Sequence, residues 1–207
     1  MKAIDQPFTK IINGVMQFMI PVFQRDYSWT EAQCEHLWND IIQIARAETD
    51  RGHFLGSIVY VATGESRSGF TRWLLIDGQQ RVTTLLILMG VLRDYIDETG
   101  WTGDEDGPTS KRIDSYFLKN LQEEGDRQQK LVLRRHDQVT LKALLDGDED
   151  WPDNPSERIR DNYEFFWEQL ESADPGEVYR GIGRLIVVDV TLERGIDDPQ
   201  LIFESLN

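Results

Sequence analysis

Residues 73–92, WLLIDGQQRVTTLLILMGVL, constrain the fold more tightly than any other part of the chain. Trp73–Ile76 is a short unbroken apolar run, the pattern of a buried strand. From Val82 the apolar residues recur at Leu85, Leu86, Met89 and Leu92, which is helical spacing. Only Asp77-Gly78-Gln79-Gln80-Arg81 separates the two periods. A strand must therefore turn into a helix within a few residues. That corner gathers a carboxylate, two amides and a guanidinium.

Other segments point to the same class. Phe54–Val61 (FLGSIVYV) is β-branched and aromatic and predicts a strand, with a turn at Gly64–Gly69. Thr30 followed by Gln33 matches a capping box opening a helix to about Ala47, with Leu37, Ile41, Ile44 and Ala45 on one face. Met16–Asp26 (MQFMIPVFQRD) reads as extended, a conformation Pro21 favours. Beyond it, Ser110–Gln122, Gln138–Leu145 (capped by Asp137), Pro155–Ser172 and Val178–Leu185 read as helices. Lys130–Arg134 and Ile186–Leu192 read as strands. Pro199–Asn207 opens a helix with no cap or tail, so a truncation and a longer natural chain are expected. The expected class is α/β (α+β), strand-rich first and more helical afterwards.

Charge divides the chain. Lys and Arg number 22 against 37 Asp and Glu, a net of 22 − 37 = −15. Residues 1–96 hold 9 and 10 of these, and residues 97–207 hold 13 and 27, nets of −1 and −14. The expected organisation is a core over 1–96 and an acidic, mainly helical sub-domain over 97–207. Such a balance excludes sequence-blind coating of DNA, which needs clustered basic residues to displace counterions. No apolar run approaches the ~18 residues of a membrane span, and the N-terminus carries no secretion signal. The single Cys34 excludes an internal disulfide framework and a CxxC zinc site. The expected setting is cytoplasmic, with no membrane partner.

The Asp77–Arg81 corner suits phosphate and metal chemistry. A helix start offers free N–H groups and the positive end of a dipole, and Gly78 permits close approach. Asp77 is the candidate Mg²⁺ ligand or activator of water. Gln79 or Gln80 would orient that water, and Arg81 would grip a phosphate with its fork. From residue types alone, a plain corner in which Asp77 caps the helix stays open. Pro21–Trp29 (PVFQRDYSW) is the second candidate. There Gln24, Arg25 and Tyr27 stand among apolar groups, as in a pocket for an anion beside an apolar wall, or as in an edge strand whose aromatics are core. His36, His53 and His136 show no HxxxH or HxH spacing, and neither GxxxxGK[ST] nor GxGxxG occurs.

Together IPVFQRDYSW, HFLGSIV, LLIDGQQRVTTLLIL and IFESLN resemble the N-terminal domain of the GmrSD-type modification-dependent restriction enzymes, most of all its phosphorothioate-sensing antiphage (SspE-type) branch. The resemblance implies a ParB/sulfiredoxin-like core in the first half, followed by helices. It implies a domain that binds and hydrolyses nucleoside triphosphates such as GTP, and a C-terminal HNH-type nuclease domain beyond the chain. By the same resemblance, Asp77, Gln79, Gln80 and Arg81 match the catalytic DGQQR box. Gln24 and Arg25, with Gly78 and Arg81, fall to nucleotide binding, and Mg²⁺ to Asp77. Phe23 stands where many members have Tyr.

The modified DNA that such a domain senses bears either phosphorothioate or glucosylated hydroxymethylcytosine. Phosphorothioate asks for a cation beside an apolar surface, which Pro21, Val22, Phe23, Arg25 and Tyr27 would supply. The expected function is an NTP-hydrolysing sensor of phosphorothioate DNA in a defence nuclease. The alternatives are a non-catalytic module that binds modified DNA, a sensor of glucosylated cytosine, and a nuclease in its own right.

Overall fold

The computed structural model describes residues 2–48, 52–67, 69–103, 107–148 and 150–193, and after them Gly195, Asp197, Leu201, Ile202 and Glu204. Of the helix expected over Pro199–Asn207, Leu201, Ile202 and Glu204 are described and are helical, while the rest of it and most of IFESLN lie outside the described residues. Six strands among those described form one mixed sheet: β1 (Lys2–Pro7), β2 (Met16–Met19), β3 (His53–Arg67), β4 (Phe70–Asp77), β5 (Leu131–Val132) and β6 (Leu185–Leu192). Their order across the sheet is β1-β6-β3-β4-β2-β5. β3 and β4 form an antiparallel hairpin, and β6 is antiparallel to β1 and parallel to β3. β2 runs parallel to both β4 and β5. Seven α-helices named among the described residues accompany the sheet: α1 (Phe8–Ile12), α2 (Glu31–Arg46), α3 (Gln79–Thr99), α4 (Ser110–Ile113), α5 (Arg135–Asp146), α6 (Glu157–Leu170) and α7 (Pro175–Gly183). The class is α/β, as the sequence predicts. The sheet takes β5 and β6 from the acidic part of the chain, and α3 runs through the charge step at Asp97.

Alternation along β3 sorts its side chains by face. Ile58 and Tyr60 enter the main core with Phe18, Leu75 and Val187, beneath α2, α3, α6 and α7. Val59 and Val61 turn the other way and join Ile76 and Leu192 in a small second cluster. α3 is buried on nearly every side, which is why its sequence is apolar beyond one stripe.

Three local expectations change. β3 continues through the expected Gly64–Gly69 turn to Arg67, because its pairing with β4 resumes at Ser66↔Thr71 after an irregularity beyond Ala62. The helix expected over Ser110–Gln122 is one turn of α4 followed by a π-type turn over Asp114–Leu118, closed by Lys119 N–H bonding Asp114 O at 2.8 Å. Asp137 does not cap α5, which begins at Arg135. Its buried carboxylate instead accepts from Tyr27 N–H (2.8 Å) and Ser156 Oγ (2.7 Å), bolting two segments together.

Lys130 is buried beside β5, where its Nζ donates to Ile12 O (2.9 Å) and Gly14 O (2.6 Å). Burial pulls its ammonium down to about 8 from the usual 10.5. Between those values the unfolded chain holds a proton that the folded chain lacks, so stability rises with pH through that window. The fall from 10.5 to about 8 corresponds to about 3 kcal/mol across the whole window. Burial raises the Tyr27, Tyr60 and Tyr163 hydroxyls above their ordinary range, so above pH ~10 the unfolded chain alone ionises these three and stability falls again. Urea unfolding of the protein should therefore give a midpoint that climbs from pH 8 to 10. In Lys130→Met that climb should flatten, and an equal climb in the variant would rule this origin out.

Candidate functional site

The two boxes meet because β2 and β4 are parallel neighbours, and both run out at the same edge of the sheet. The carboxyl ends of adjacent parallel strands are where α/β folds open crevices for ligands. A cavity of about 560 Å³ lies there, walled by Phe23, Gln24, Arg25, Trp29 and the whole Asp77–Arg81 segment.

Gly78 forms the corner. It sits at φ 89°, and a Cβ there would lie 2.9 Å from Ser57 O, so both conformation and space require glycine. Gly78, not Asp77, is the N-cap of α3, and no side chain caps the helix. The capping role open to Asp77 in the sequence is thus not the one it takes. The first helical bond is Val82 N–H to Gly78 O (3.0 Å), which leaves the N–H groups of Gln79, Gln80 and Arg81 without helical acceptors at the cavity.

Asp77, half-buried at the end of β4, accepts from Ser57 Oγ at 3.1 Å and lies 3.5 Å from Arg81 Nη2 one turn on. Arg81 Nη1 also donates to Leu55 O at 3.3 Å. Its guanidinium packs over Gly56, where φ is 115° and a Cβ would come within 2.0 Å of Nη1. A register shift in the β3–β6 pairing falls at the same glycine. Bulges of this kind re-aim side chains beside functional sites. The Arg25 guanidinium is exposed and has no ion-pair partner among the described residues.

The glutamines divide their work. Gln24 is 1% exposed, and its Nε2 donates to both Leu75 O and Ile76 O at 2.7 Å, tying the loop after β2 to the end of β4. Its Oε1 is buried without a hydrogen-bond partner. Gln80 is a second clamp, accepting from Ser28 N–H (2.9 Å) and donating to Asp26 O (3.2 Å). Gln79 donates to Arg25 O (3.2 Å) and keeps its other amide atom free in the cavity wall. Arg134, reaching over from the acidic part of the chain, donates to Gln24 O at 2.7 Å and stands 3.5 Å from Asp26.

The Pro21–Tyr27 segment does not act as one surface. Val22 is 84% exposed and Phe23 43% exposed, and Phe23 lines the cavity. Pro21 is buried. The Tyr27 ring points into the core, where its hydroxyl meets Thr84 Oγ1 (2.7 Å) and accepts from Asn162 Nδ2 (2.8 Å). A phenol with two buried hydrogen-bond partners stays inside, so Tyr27 does not line the cavity. Cys34 is buried too, and desolvation pushes its thiol up to about 12, the state of an inert structural cysteine.

Sequence reasoning missed Ser57 and Gly56, and it left Trp29 open between a pocket wall and the core. The signal available for Gly56 was a glycine inside a β-branched strand, which marks close approach of another group. Among the described residues no cluster of three or more His, Cys, Asp or Glu forms a metal centre. One carboxylate with one neighbouring hydroxyl fits Mg²⁺ only when phosphate oxygens and water complete its shell. No helix among the described residues is long and apolar enough to cross a membrane.

No curated protein matches the chain. The family described as GmrSD restriction endonuclease, N-terminal domain, matches residues 4–207. Strand–DGQQR–helix corner, QR loop and match together cover nearly the whole sequence, and the chain belongs to the family of GmrSD restriction endonuclease N-terminal domains.

Proposed function

We propose that this domain hydrolyses nucleoside triphosphates in the cavity between the two boxes, and that phosphorothioate-modified DNA sets the rate. Family membership makes the chain part of a modification-dependent restriction enzyme. The observation that carries the finer reading is the uncapped N-terminus of α3 opening between Arg25 and Arg81. Three N–H groups and two guanidinium groups converge there on one cavity, in a chain whose net charge is −15. A concave site so furnished selects a multiply charged anion.

Asp77 would hold Mg²⁺ against the bound phosphates, and the ion would neutralise charge on them. Arg81, oriented by Asp77 and Leu55 O, binds a terminal phosphate in its fork. Gln79 positions the attacking water, while Gln24 and Gln80 hold the loop that carries Arg25. Val22 and Phe23 give a sulfur-bearing backbone an apolar surface beside that cation. One such contact favours sulfur over oxygen by roughly 1–2 kcal/mol, or about 5–30-fold in affinity.

The test is phosphate release from each common nucleoside triphosphate by the purified chain, alone and with matched duplexes with and without phosphorothioate. Hydrolysis that shifts several-fold with the sulfur-bearing duplex only is expected. No hydrolysis of any nucleotide overturns the enzymatic reading. Hydrolysis indifferent to phosphorothioate, or responding to glucosylated cytosine instead, overturns the assignment of the modification.

A further inference from the structure

A second cavity of about 530 Å³ adjoins the first, between the N-terminal half of α2 and the start of β3. The two share Trp29 and Arg81 as a common wall. Its remaining character differs. Phe54 stands at its rim with 61% of its surface exposed, although it is a large apolar side chain inside a strand. Opposite, His53 Nε2 lies 3.3 Å and His36 Nε2 3.7 Å from the Asp40 carboxylate, and all three line the cavity. The first cavity is built for anions; this one offers flat apolar faces, an oriented imidazole and a carboxylate. Both volumes fall within the ~300–1,000 Å³ of small-molecule sites.

Resting on the reading of the first cavity as a triphosphate site, we propose that the second is its nucleobase subsite. Arg81 is the hinge of the argument. A phosphate on its fork sits at the border of the two cavities, so the nucleoside of the same molecule has the second cavity within reach. The Phe54 ring gives the base a stacking face. Aromatic faces accept any base, because every base has a π surface. Asp40 accepts from ring or exocyclic N–H groups, and the imidazole of His53, held by Asp40, supplies a polar partner of defined orientation. These groups bind and position the nucleotide and take no part in the chemical step.

The experiment compares a nucleoside triphosphate with inorganic tripolyphosphate, which carries the charge but no base. Initial rates are measured with Mg²⁺ for the wild-type chain, Phe54→Ala, Phe54→Trp and Asp40→Asn. In the wild type the nucleotide should have a KM about tenfold below that of tripolyphosphate. Phe54→Ala should erase most of that advantage while kcat for the nucleotide stays within about twofold, and Phe54→Trp should restore it. Asp40→Asn should change the ranking of the four bases by KM. If the wild type treats the two substrates alike, or Phe54→Ala keeps the full advantage, the subsite is overturned and the hydrolytic reading stands. If neither compound is bound or hydrolysed, both readings fall together. If a duplex bearing glucosylated cytosine loses binding in Phe54→Ala while the KM ratio holds, the cavity belongs to a sugar on DNA and the proposal is overturned.

Discussion

Arg81→Ala should lower kcat for triphosphate hydrolysis by at least ~10²-fold while the protein unfolds at nearly the wild-type temperature. The rate loss follows from removing a preorganised cation aimed at charge that develops on the transferred phosphate, a contact worth roughly 3–4 kcal/mol when one donor is deleted. The fold should survive because the guanidinium is partly exposed and its ion pair with Asp77 is long, at 3.5 Å. Such pairs contribute about 0–1 kcal/mol to stability. Arg81→Lys keeps the charge but loses the fork, and should fall between the two. Gly56→Ala is the sharper companion. It leaves Arg81 in the sequence but puts a methyl group where the guanidinium lies, 2.0 Å from Nη1. Because Gly56 sits at φ 115°, the alanine also strains the backbone, so a large loss of turnover in a variant that still unfolds near the wild-type temperature, with Arg81 present, would show that the position of this side chain matters and not its charge alone. Turnover of Arg81→Ala within threefold of wild type, at saturating nucleotide, would end the assignment.

Much of this site was readable because its parts lie in short, strongly patterned segments. The change of period across Asp77–Arg81 fixed a strand, a corner and a helix in that order, and these are β4, Gly78 and α3. The capping pair Thr30 and Gln33 also marked a real start, since Gln33 accepts from Thr30 N–H at 2.8 Å. What stayed hidden depends on pairing between segments far apart in sequence. Nothing local says that β2 lies parallel beside β4, which is the step that brings Gln24 and Arg25 to the DGQQR corner. Tyr27 shows the same limit. Its neighbours Arg25 and Asp26 are exposed, but Thr84 and Asn162, 57 and 135 positions away, supply the partners that draw its hydroxyl into the core. The glutamines of the boxes were legible as a group and not one by one. Whether an amide faces a ligand or clamps a loop depends on which carbonyls stand within reach, and for Gln80 these belong to the loop after β2.

Arg93→Ala should destabilise the fold by roughly 3–5 kcal/mol without touching the cavity chemistry, the cost typical of breaking a buried ion pair from one side. Arg93 lies on α3, more than three turns from the corner, and is 3% exposed in a helix otherwise rich in aliphatic residues. Its fork does four things at once. Nε donates to Asp94 (2.8 Å), Nη1 to Asp114 Oδ1 (2.9 Å) and Leu145 O (2.8 Å), and Nη2 to Leu144 O (2.6 Å). The two carbonyls belong to the last turn of α5, where Leu144 O also accepts from Gly147 N–H (3.1 Å) and Leu145 O has Arg93 as its donor, and the helix ends at Gly147 in the left-handed conformation. One cation thus satisfies the C-terminus of α5, favoured there by the helix dipole, and joins it to α3 and to the π-type turn at Asp114. Removal strands Leu145 O, takes one of two donors from Leu144 O, and leaves Asp114 with only Lys119, at 3.4 Å, as its cation. At ~2–4 °C per kcal/mol for a chain of this size, the melting temperature should fall by roughly 6–20 °C. Arg93→Lys should recover only part of this, because an ammonium cannot reach both carbonyls and the carboxylate in one plane. Hydrolysis assayed below the lowered melting temperature should stay near wild type. A melting temperature within 2 °C of wild type would show that the network adds nothing to stability, and lost activity in a folded variant would place the far end of α3 in communication with its N-terminal anion site.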